Sequence, residues 1–429
     1  MRRSVPFINW VTKTTMPDVT VLNVLLYGRA IGTLTLLPGE RILFAFSQDY
    51  IDAPDRPTLS LSFKDQLGEL ITTIRPTQTR LPTFFSNLLP EGSLRDYLAE
   101  RAGVNAQREF FLLWVLGRDL PGAITIEPAE GEAWPRGGQH EGSDHDHVHG
   151  GQETALRFSL AGVQLKFSAV METAGGLTVP AEGVGGRWIV KLPSTKFQGV
   201  PENEFAMMTL ARMIGMEVAD VELVELEVVS GLPKGIGRLK GSALAVKRFD
   251  RTEEGGLIHS EDFAQVFGVY PERKYERASY RNITEVIWAE IGEQGIEEFI
   301  RRLVFSVLIG NADMHLKNWS LIYRDQRHPA LSPGYDFVST IAYIDDPNMA
   351  LGFLRSKSML DTSIDVLTRF AAKARLSEKL VLSAATGTVE RFMAAWSVER
   401  KHLPISKHMI KTLEQHLRKI ELVREIVKA

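Results

Sequence analysis

The chain has 429 residues, 44% hydrophobic and 24% charged, with a net charge of −3, the profile of an ordinary globular protein of about two to four compact units. That balance offers no global basic field for nucleic acid, and the absence of cysteine excludes disulfides and thiolate chemistry and fits a cytoplasmic location. The opening MRRSVPFINWVTKTTMPD lacks the continuous apolar stretch of a signal peptide, and no run approaches the ~18 apolar residues of a membrane span, so no membrane association is expected.

Residues 19 to 46 alternate and turn as a small sheet, VTVLNVLLYG, IGTLTLLPG and RILFAF, with Gly28-Arg29 and Pro38-Gly39 as turns. Leu59 to Phe63, LSLSF, reads as a further strand. Residues 81 to 128 turn helical, then close on PGAITIEP. Leu94, Tyr97 and Leu98 mark one helix face and Gly103 its end. The patterns predict an α+β unit over 1–128 with no catalytic signal of its own.

Residues 129–155 lose every apolar period and read as a linker or surface loop. His140, His145, His147 and His149, with Asp144 and Asp146, have the composition of an adventitious metal binder, but no rigid frame orients them, which favours a solvated linker.

Residues 156–250 return to strands. LRFSLAG turns into VQLKFSAV, and this strand–turn–strand has the shape of a loop that covers ATP phosphates with backbone N–H groups. It holds Ala161, Gly162, Val163, Gln164, Leu165 and Lys166, with a single glycine where kinases show three. The strand RWIVK ends in Lys191 and parallels the kinase V-A-I-K strand, whose Lys pairs the α/β-phosphates; a snorkelling strand-end lysine is the alternative. NEFAMMTLARMIGM is a helix with Phe205, Met208, Ala211 and Met213 towards the core. Glu204 in its first turn either favours the helix dipole or pairs with Lys191. Gly235-Ile236-Gly237 leads into a strand and fits a hairpin loop better than a dinucleotide site. That strand, SALAVKRFDR, ends with Lys247, Arg248 and Phe249 where a kinase offers backbone groups to adenine.

From 251 to 429 the chain is mostly helical: EDFAQVFGV, ITEVIWAEIG, then EEFIRRLVFSVLIG, which stops at Gly310. A polar knot, Asn311 to Asn318, follows. WSLIY and the run around Leu331 then read as a hairpin about RDQRHP that delivers Tyr335-Asp336-Phe337. Asp313 and Asn318 have the D-x-x-x-x-N spacing of the kinase catalytic loop, in which the Asp accepts the substrate hydroxyl's proton and the Asn holds Mg²⁺. Asp336 leads D-F-V where kinases carry D-F-G. The hairpin folds Asp336 back towards Asn318, so three oxygen donors converge on one Mg²⁺-nucleotide. The spacing alone also suits a capped turn; the hairpin, Asp336 and the interleaved Lys317 favour the catalytic reading. His315, Leu316 and Lys317 share this tight turn, on the phosphate side. A last helix is expected from His408 to Ala429, with Ile410, Leu413, Leu417, Ile420 and Val423 on one face.

Taken together and in this order, FFSNLLPEG, GRDLPGAI, RFSLAGVQLKF, WIVKLP, NEFAMMTLAR, AVKRFDR, EDFAQVFG, NADMHLKN and YDFVST resemble the HipA-type serine/threonine kinase toxins of bacterial toxin–antitoxin systems, from about Val21 to the C-terminal helices. The resemblance implies an α+β, two-lobed, protein-kinase-like fold with an all-helical C-terminal lobe and an additional N-terminal α+β subdomain. It implies the cofactors ATP and Mg²⁺, with Asp313 catalytic, Asn318 and Asp336 as metal ligands, and Lys191, the 161–166 loop, Lys247 to Phe249, His315 to Asn318 and Tyr335 around the nucleotide. It further implies a HipB-like helix-turn-helix antitoxin, operator DNA through that antitoxin, an aminoacyl-tRNA synthetase as protein substrate, and Ser159 as an inactivating autophosphorylation site. The hinge departs from members that carry an acidic residue at Lys247, and the His-rich linker is not a family feature. Two readings of other classes stay open: a non-catalytic co-repressor, and a kinase acting on a lipid or small molecule.

Overall fold

The computed structural model describes residues 20–129, 166–171, 177–179, 186–194, 196–232, 239–354 and 356–427. Period-two alternation builds the first sheet. Strands β1 (Val21–Leu26), β2 (Arg29–Leu37), β3 (Arg41–Phe46), β4 (Thr77–Gln78) and β5 (Ile124–Pro128) pair antiparallel in the order β4-β3-β2-β1-β5. Their inward residues, Leu22, Val24 and Leu26 among them, pack with Phe84, Phe85 and the wholly buried Glu109–Leu116 helix. LSLSF is not the strand expected: Leu61–Phe63 is a short 3₁₀ turn, capped where the Ser60 hydroxyl accepts from the Ser62 N–H. The turn directs the Ser60 hydroxyl and the Leu61 N–H at the Glu261 carboxylate, at 2.5 and 3.0 Å.

The second sheet contains β6 (Lys166–Met171), β7 (Leu177–Thr178), β8 (Trp188–Lys191), β9 (Val221–Glu225), β10 (Val229–Ser230) and β11 (Ser242–Lys247), in the order β10-β7-β6-β8-β11-β9. Both faces are buried. Ala243 and Ala245 of β11, with Phe167 and Val190, join the N-terminal core, while Leu244 and Val246 join the core beneath the large lobe. The Val200–Met213 helix is wedged against the second face and buries a broad flank, Ala206 to Met208, Leu210 and Ala211. Met213, expected in the core, is 51% exposed.

The large lobe is helical apart from an antiparallel sheet of β12 (His259–Asp262), β13 (Ser320–Tyr323) and β14 (Ala330–Leu331), which contains the expected hairpin. Glu261 and Asp262, read as helical from sequence, lie in β12. The Glu293–Ile309 helix ends at Gly310, whose φ of +65° requires glycine twice over, because a Cβ there would stand 2.5 Å from Ile341 Cδ1. The expected C-terminal helix is two, Lys407–Lys419 and Glu421–Val427. The break at Ile420 lets the Glu421 and Leu422 amides donate to the carbonyls of Leu360 and Thr362.

Buried polar groups fasten the N-terminal subdomain to this body. Arg248 donates to Asp119 at 2.8 Å, to Asp250 through Nε and Nη2 at 2.9 Å each, and to the Leu120 carbonyl at 3.2 Å. Arg251 closes the knot on Asp119. Nearby, the buried His259 ring donates from Nε2 to the Leu59 carbonyl at 2.7 Å and accepts the Ala123 N–H at Nδ1. This is a neutral imidazole, and burial pushes it down to about 4.

His259 makes the junction acid-sensitive. Its stabilising contribution is complete above the unfolded pKa of about 6.5 and is lost as pH falls towards 4, because the unfolded ring takes a proton that the folded ring refuses. Glu261, pushed up to about 7 by burial, acts in the opposite sense and loses its contribution as pH rises through 7. Comparing His259→Gln with wild type by urea denaturation at pH 7.5 and 4.5 isolates the histidine. The variant is expected to lose less stability on acidification than wild type, by up to ~3 kcal/mol; equal losses would place the acid sensitivity elsewhere.

Candidate functional site

The strand register brings two lysines side by side. Lys166 of β6 faces Lys191 of β8 directly across the ladder, and both line a cleft of about 620 Å³ between the lobes. Like charges in that position repel, an arrangement suited to an anion between the strands. Lys191 Nζ bonds Glu204 Oε1 at 2.5 Å and also contacts Asp336 Oδ1. Glu204 therefore pairs with Lys191; because the helix begins at Val200, its first-turn acid is Glu202 and not Glu204 as expected. Burial, offset by Lys191 and reinforced by Asp336, pushes Glu204 up to about 7. Against the opposing effect of burial, Lys191 and Lys166 hold Asp336 well below the usual carboxylate range. Burial, partly offset by Asp336 and reinforced by Lys191, pushes Lys166 down to about 8.

The knot after Gly310 is held by its own side chains. Thr340 Oγ1 accepts the Ala312 N–H and donates to the Gly310 carbonyl, Asn311 Oδ1 accepts the Asp313 N–H, and Asn318 Nδ2 donates to the Asp313 carbonyl at 2.8 Å. That last bond leaves Oδ1 as the remaining acceptor of Asn318. Asp313 is exposed at the cleft mouth. Asp336 has a φ of +55°, a left-handed conformation that Asp tolerates better than most residues and that occurs often at functional sites.

Asp313, Asn318 and Asp336 thus line one cleft with Lys166, Lys191, Lys247, Arg248, Phe249, His315, Lys317 and Tyr335. The donor set fits Mg²⁺ carried by a nucleotide: hard oxygens from one amide and one or two carboxylates, with phosphate completing the shell. Among the described residues no group of three or more His, Asp or Glu forms a metal cage, so Asp336 and Asn318 would hold the ion jointly with a triphosphate. His315, buried and pushed down to about 3 by burial and by Lys274, is neutral, and its Nδ1 lacks a hydrogen-bond partner among the described residues.

Several expected site residues are otherwise engaged. The Arg248 guanidinium is consumed by Asp119 and Asp250, and its backbone N–H donates to the Arg187 carbonyl at 2.8 Å, so only its own carbonyl is left for a nucleotide. Lys317 turns to the N-terminal subdomain, donating to the Asn87 carbonyl at 2.9 Å and standing 3.1 Å from Glu91 Oε1. Leu316 is core, its N–H donated to the Lys274 carbonyl. Lys247 pairs with Glu253 at 2.5 Å on a half-exposed edge. The Tyr335 hydroxyl donates to the Lys317 carbonyl, and its ring lies 5.6 Å from Phe249. Ser159, residues 161–165, Gly235 to Gly237 and residues 130–155 of the linker lie outside the described residues.

Sequence reasoning missed Asn87, Glu91, Lys274 and Tyr275. Glu91 bridges Lys274 at 2.9 Å and Lys317; despite the opposing effect of burial, these cations pull it down to about 2. Tyr275 donates its hydroxyl to Asp313 Oδ1 at 2.5 Å. FFSNLLPEG was legible as a segment, but no local spacing tells that its Asn and Glu reach the Asn311–Asn318 loop, so distant in sequence.

Comparison with known proteins agrees with this architecture. Residues 22–127 match the model of the HipA N-terminal domain, and residues 158–396, more than half of the chain, that of the HipA-like C-terminal domain. A Sinorhizobium fredii protein named "Putative kinase Y4dM" is 58% identical over 416 residues, 96% of this chain and 100% of that protein. The Shewanella oneidensis "Serine/threonine-protein kinase toxin HipA" is 29% identical over 306 residues, 63% of this chain and 65% of that one. A solved structure titled as the Shewanella oneidensis toxin–antitoxin system HipA, HipB and its operator DNA complex superposes with a TM-score of 0.71 at 24% identity, covering 95% of this chain and 99% of that chain. The fold is the α+β, kinase-like fold of HipA, and the chain belongs to the HipA family.

Proposed function

We propose that this chain is an ATP-dependent protein serine/threonine kinase, the toxin of a toxin–antitoxin pair. The observation that supports it most is the convergence of Asp313, Asn318, Asp336 and Lys191 on one cleft. ATP supplies the phosphoryl group, and Mg²⁺ neutralises charge on the triphosphate. Lys191 and Lys166 bind the phosphates, and the 161–166 segment covers them. Asp336 and Asn318 hold the metal. Asp313 orients the acceptor hydroxyl and takes its proton. Catalysis is positioning and charge neutralisation, as a loose phosphoryl-transfer transition state requires.

The biological setting rests on family membership. The partner is a HipB-like helix-turn-helix antitoxin that connects the chain to operator DNA, and the acceptor is a translation factor such as an aminoacyl-tRNA synthetase, in the cytoplasm. Ser159 is the self-inactivation site: a phosphoserine carries about −1.5 to −2 charges and beside the triphosphate repels the nucleotide.

Asp313→Ala is expected to abolish transfer while sparing ATP binding, whereas Asp336→Ala loses both transfer and Mg²⁺-dependent binding. Radiolabelled phosphate transfer and calorimetry with and without EDTA read the two effects apart, and wild-type turnover in the Asp313 variant would sink the assignment. Lys191→Met leaves Glu204 and Asp336 without their cation; it should destabilise the fold by ~3–5 kcal/mol in urea and remove ATP affinity. Mass spectrometry after incubation with ATP·Mg²⁺ should find phosphate on Ser159 in wild type and none in Asp313→Ala. An active chain with Ser159 never modified would refute the switch.

A further inference from the structure

Tyr275 follows the buried Lys274 on a short turn beside the catalytic loop, and no motif in the sequence contains it. Its hydroxyl donates at 2.5 Å to Oδ1 of Asp313, the carboxylate that takes the acceptor's proton in the kinase reading. The phenol therefore stands at one of the positions open to an acceptor hydroxyl, since a general base acts only within hydrogen-bond reach.

The turn itself is anchored. Lys274 Nζ bonds Glu91 at 2.9 Å, the Lys274 carbonyl accepts the Leu316 N–H at 3.3 Å, Pro271 is buried, and Glu272 pairs with Arg80 at 2.5 Å. The tyrosine side chain is not held to the same degree. It is 40% exposed, meets the His315 ring edge-on at 5.0 Å, and has Lys274 Nζ 5.7 Å from its centroid. A rotamer change carries the hydroxyl off Asp313 towards solvent with the backbone in place.

We propose that Tyr275 is a placeholder: its hydroxyl occupies the acceptor position at Asp313 in the resting enzyme, keeps water out of it, and yields to an acceptor hydroxyl. The inference rests on the kinase reading and deepens it. Water is the competing acceptor. Its oxygen forms a bond to the γ-phosphorus, the bond from that phosphorus to the β–γ bridging oxygen breaks, ADP and inorganic phosphate leave, and the water proton passes to Asp313. With the phenol on Oδ1, a water on that side of the carboxylate loses its base. A protein acceptor, positioned by contacts on both sides of its hydroxyl, displaces the phenol where a single water does not. Tyr275 is in this sense specificity-determining. A tyrosine that instead oriented Asp313 productively would give the opposite result on removal.

Tyr275→Phe keeps the ring on His315 and deletes only the hydroxyl; Tyr275→Leu deletes both and guards against a ring that blocks Asp313 by itself. ADP release from ATP·Mg²⁺ is measured without added acceptor, then with casein as a protein probe, in wild type, both variants and Tyr275→Phe/Asp313→Asn. Hydrolysis is expected to rise about tenfold in Tyr275→Phe, the scale of a hydrogen bond to a charged group, and at least as far in Tyr275→Leu. The KM for casein should fall with kcat little changed, and the gain should vanish in the double variant. Single variants that turn over at or below the wild-type rate overturn the placeholder, and so does a gain that survives in the double variant. A wild-type chain that turns over no ATP at all overturns the kinase reading, and the inference with it.

Discussion

One buried ammonium, Lys191, holds three segments that the chain keeps far apart: strand β8, the Val200–Met213 helix through Glu204, and the segment after the hairpin through Asp336. Removing these ions from water costs several kcal/mol per ion, and the cost is offset only while the set is complete. Lys166 stands across the ladder from Lys191, so two cations and two carboxylates meet at the floor of the cleft. A nucleotide with its metal adds charge of both signs to such a quartet, whereas a neutral ligand satisfies none of it. The lobes meet where these four charges are packed together.

The second constraint is the sheet that carries these lysines. Because β11 sends Ala243 and Ala245 to one core and Leu244 and Val246 to the other, the sheet cannot shift on one face without disturbing the opposite one. The N-terminal subdomain is thus part of the wall that positions Lys166 and Lys191. It also reaches the Asn311–Asn318 loop directly, since the Asn87 carbonyl and the Glu91 carboxylate receive Lys317. A change inside that subdomain has a short physical route to the loop that carries Asp313.

Basic side chains that line the cleft are not thereby ligands of an anion. Lys247, Arg248 and Lys317 are all basic, and all line the cleft. Arg248 is spent on fastening two subdomains, Lys317 on a carbonyl and a carboxylate of the N-terminal subdomain, and Lys247 on a surface glutamate. Each was near the site by sequence and turned elsewhere by packing; Arg248 and Lys317, being buried, take the partners that desolvation leaves them. Lys166 and Lys191 keep their place because the ladder fixes their direction.

The sequence by itself determined the local devices: the helix that stops at Gly310, the D-x-x-x-x-N loop, the hairpin that returns Asp336, and the strand ending in Lys191. Each is set by propensity, turn chemistry and spacing over a few residues. Where local signals pointed both ways it was less reliable, as at LSLSF, at Glu261-Asp262, and in the last helix, which breaks so that two amides can reach distant carbonyls. Only the tertiary structure decided whether Glu204 met Lys191, which way Lys317 turned, and that Glu91 and Tyr275 belonged to the site. Tyr275 and Asp313 are 38 residues apart, and no periodicity encodes a contact made by two turns. Such pairings follow from how the packed lobes set one surface against another, and so they were not legible in the chain.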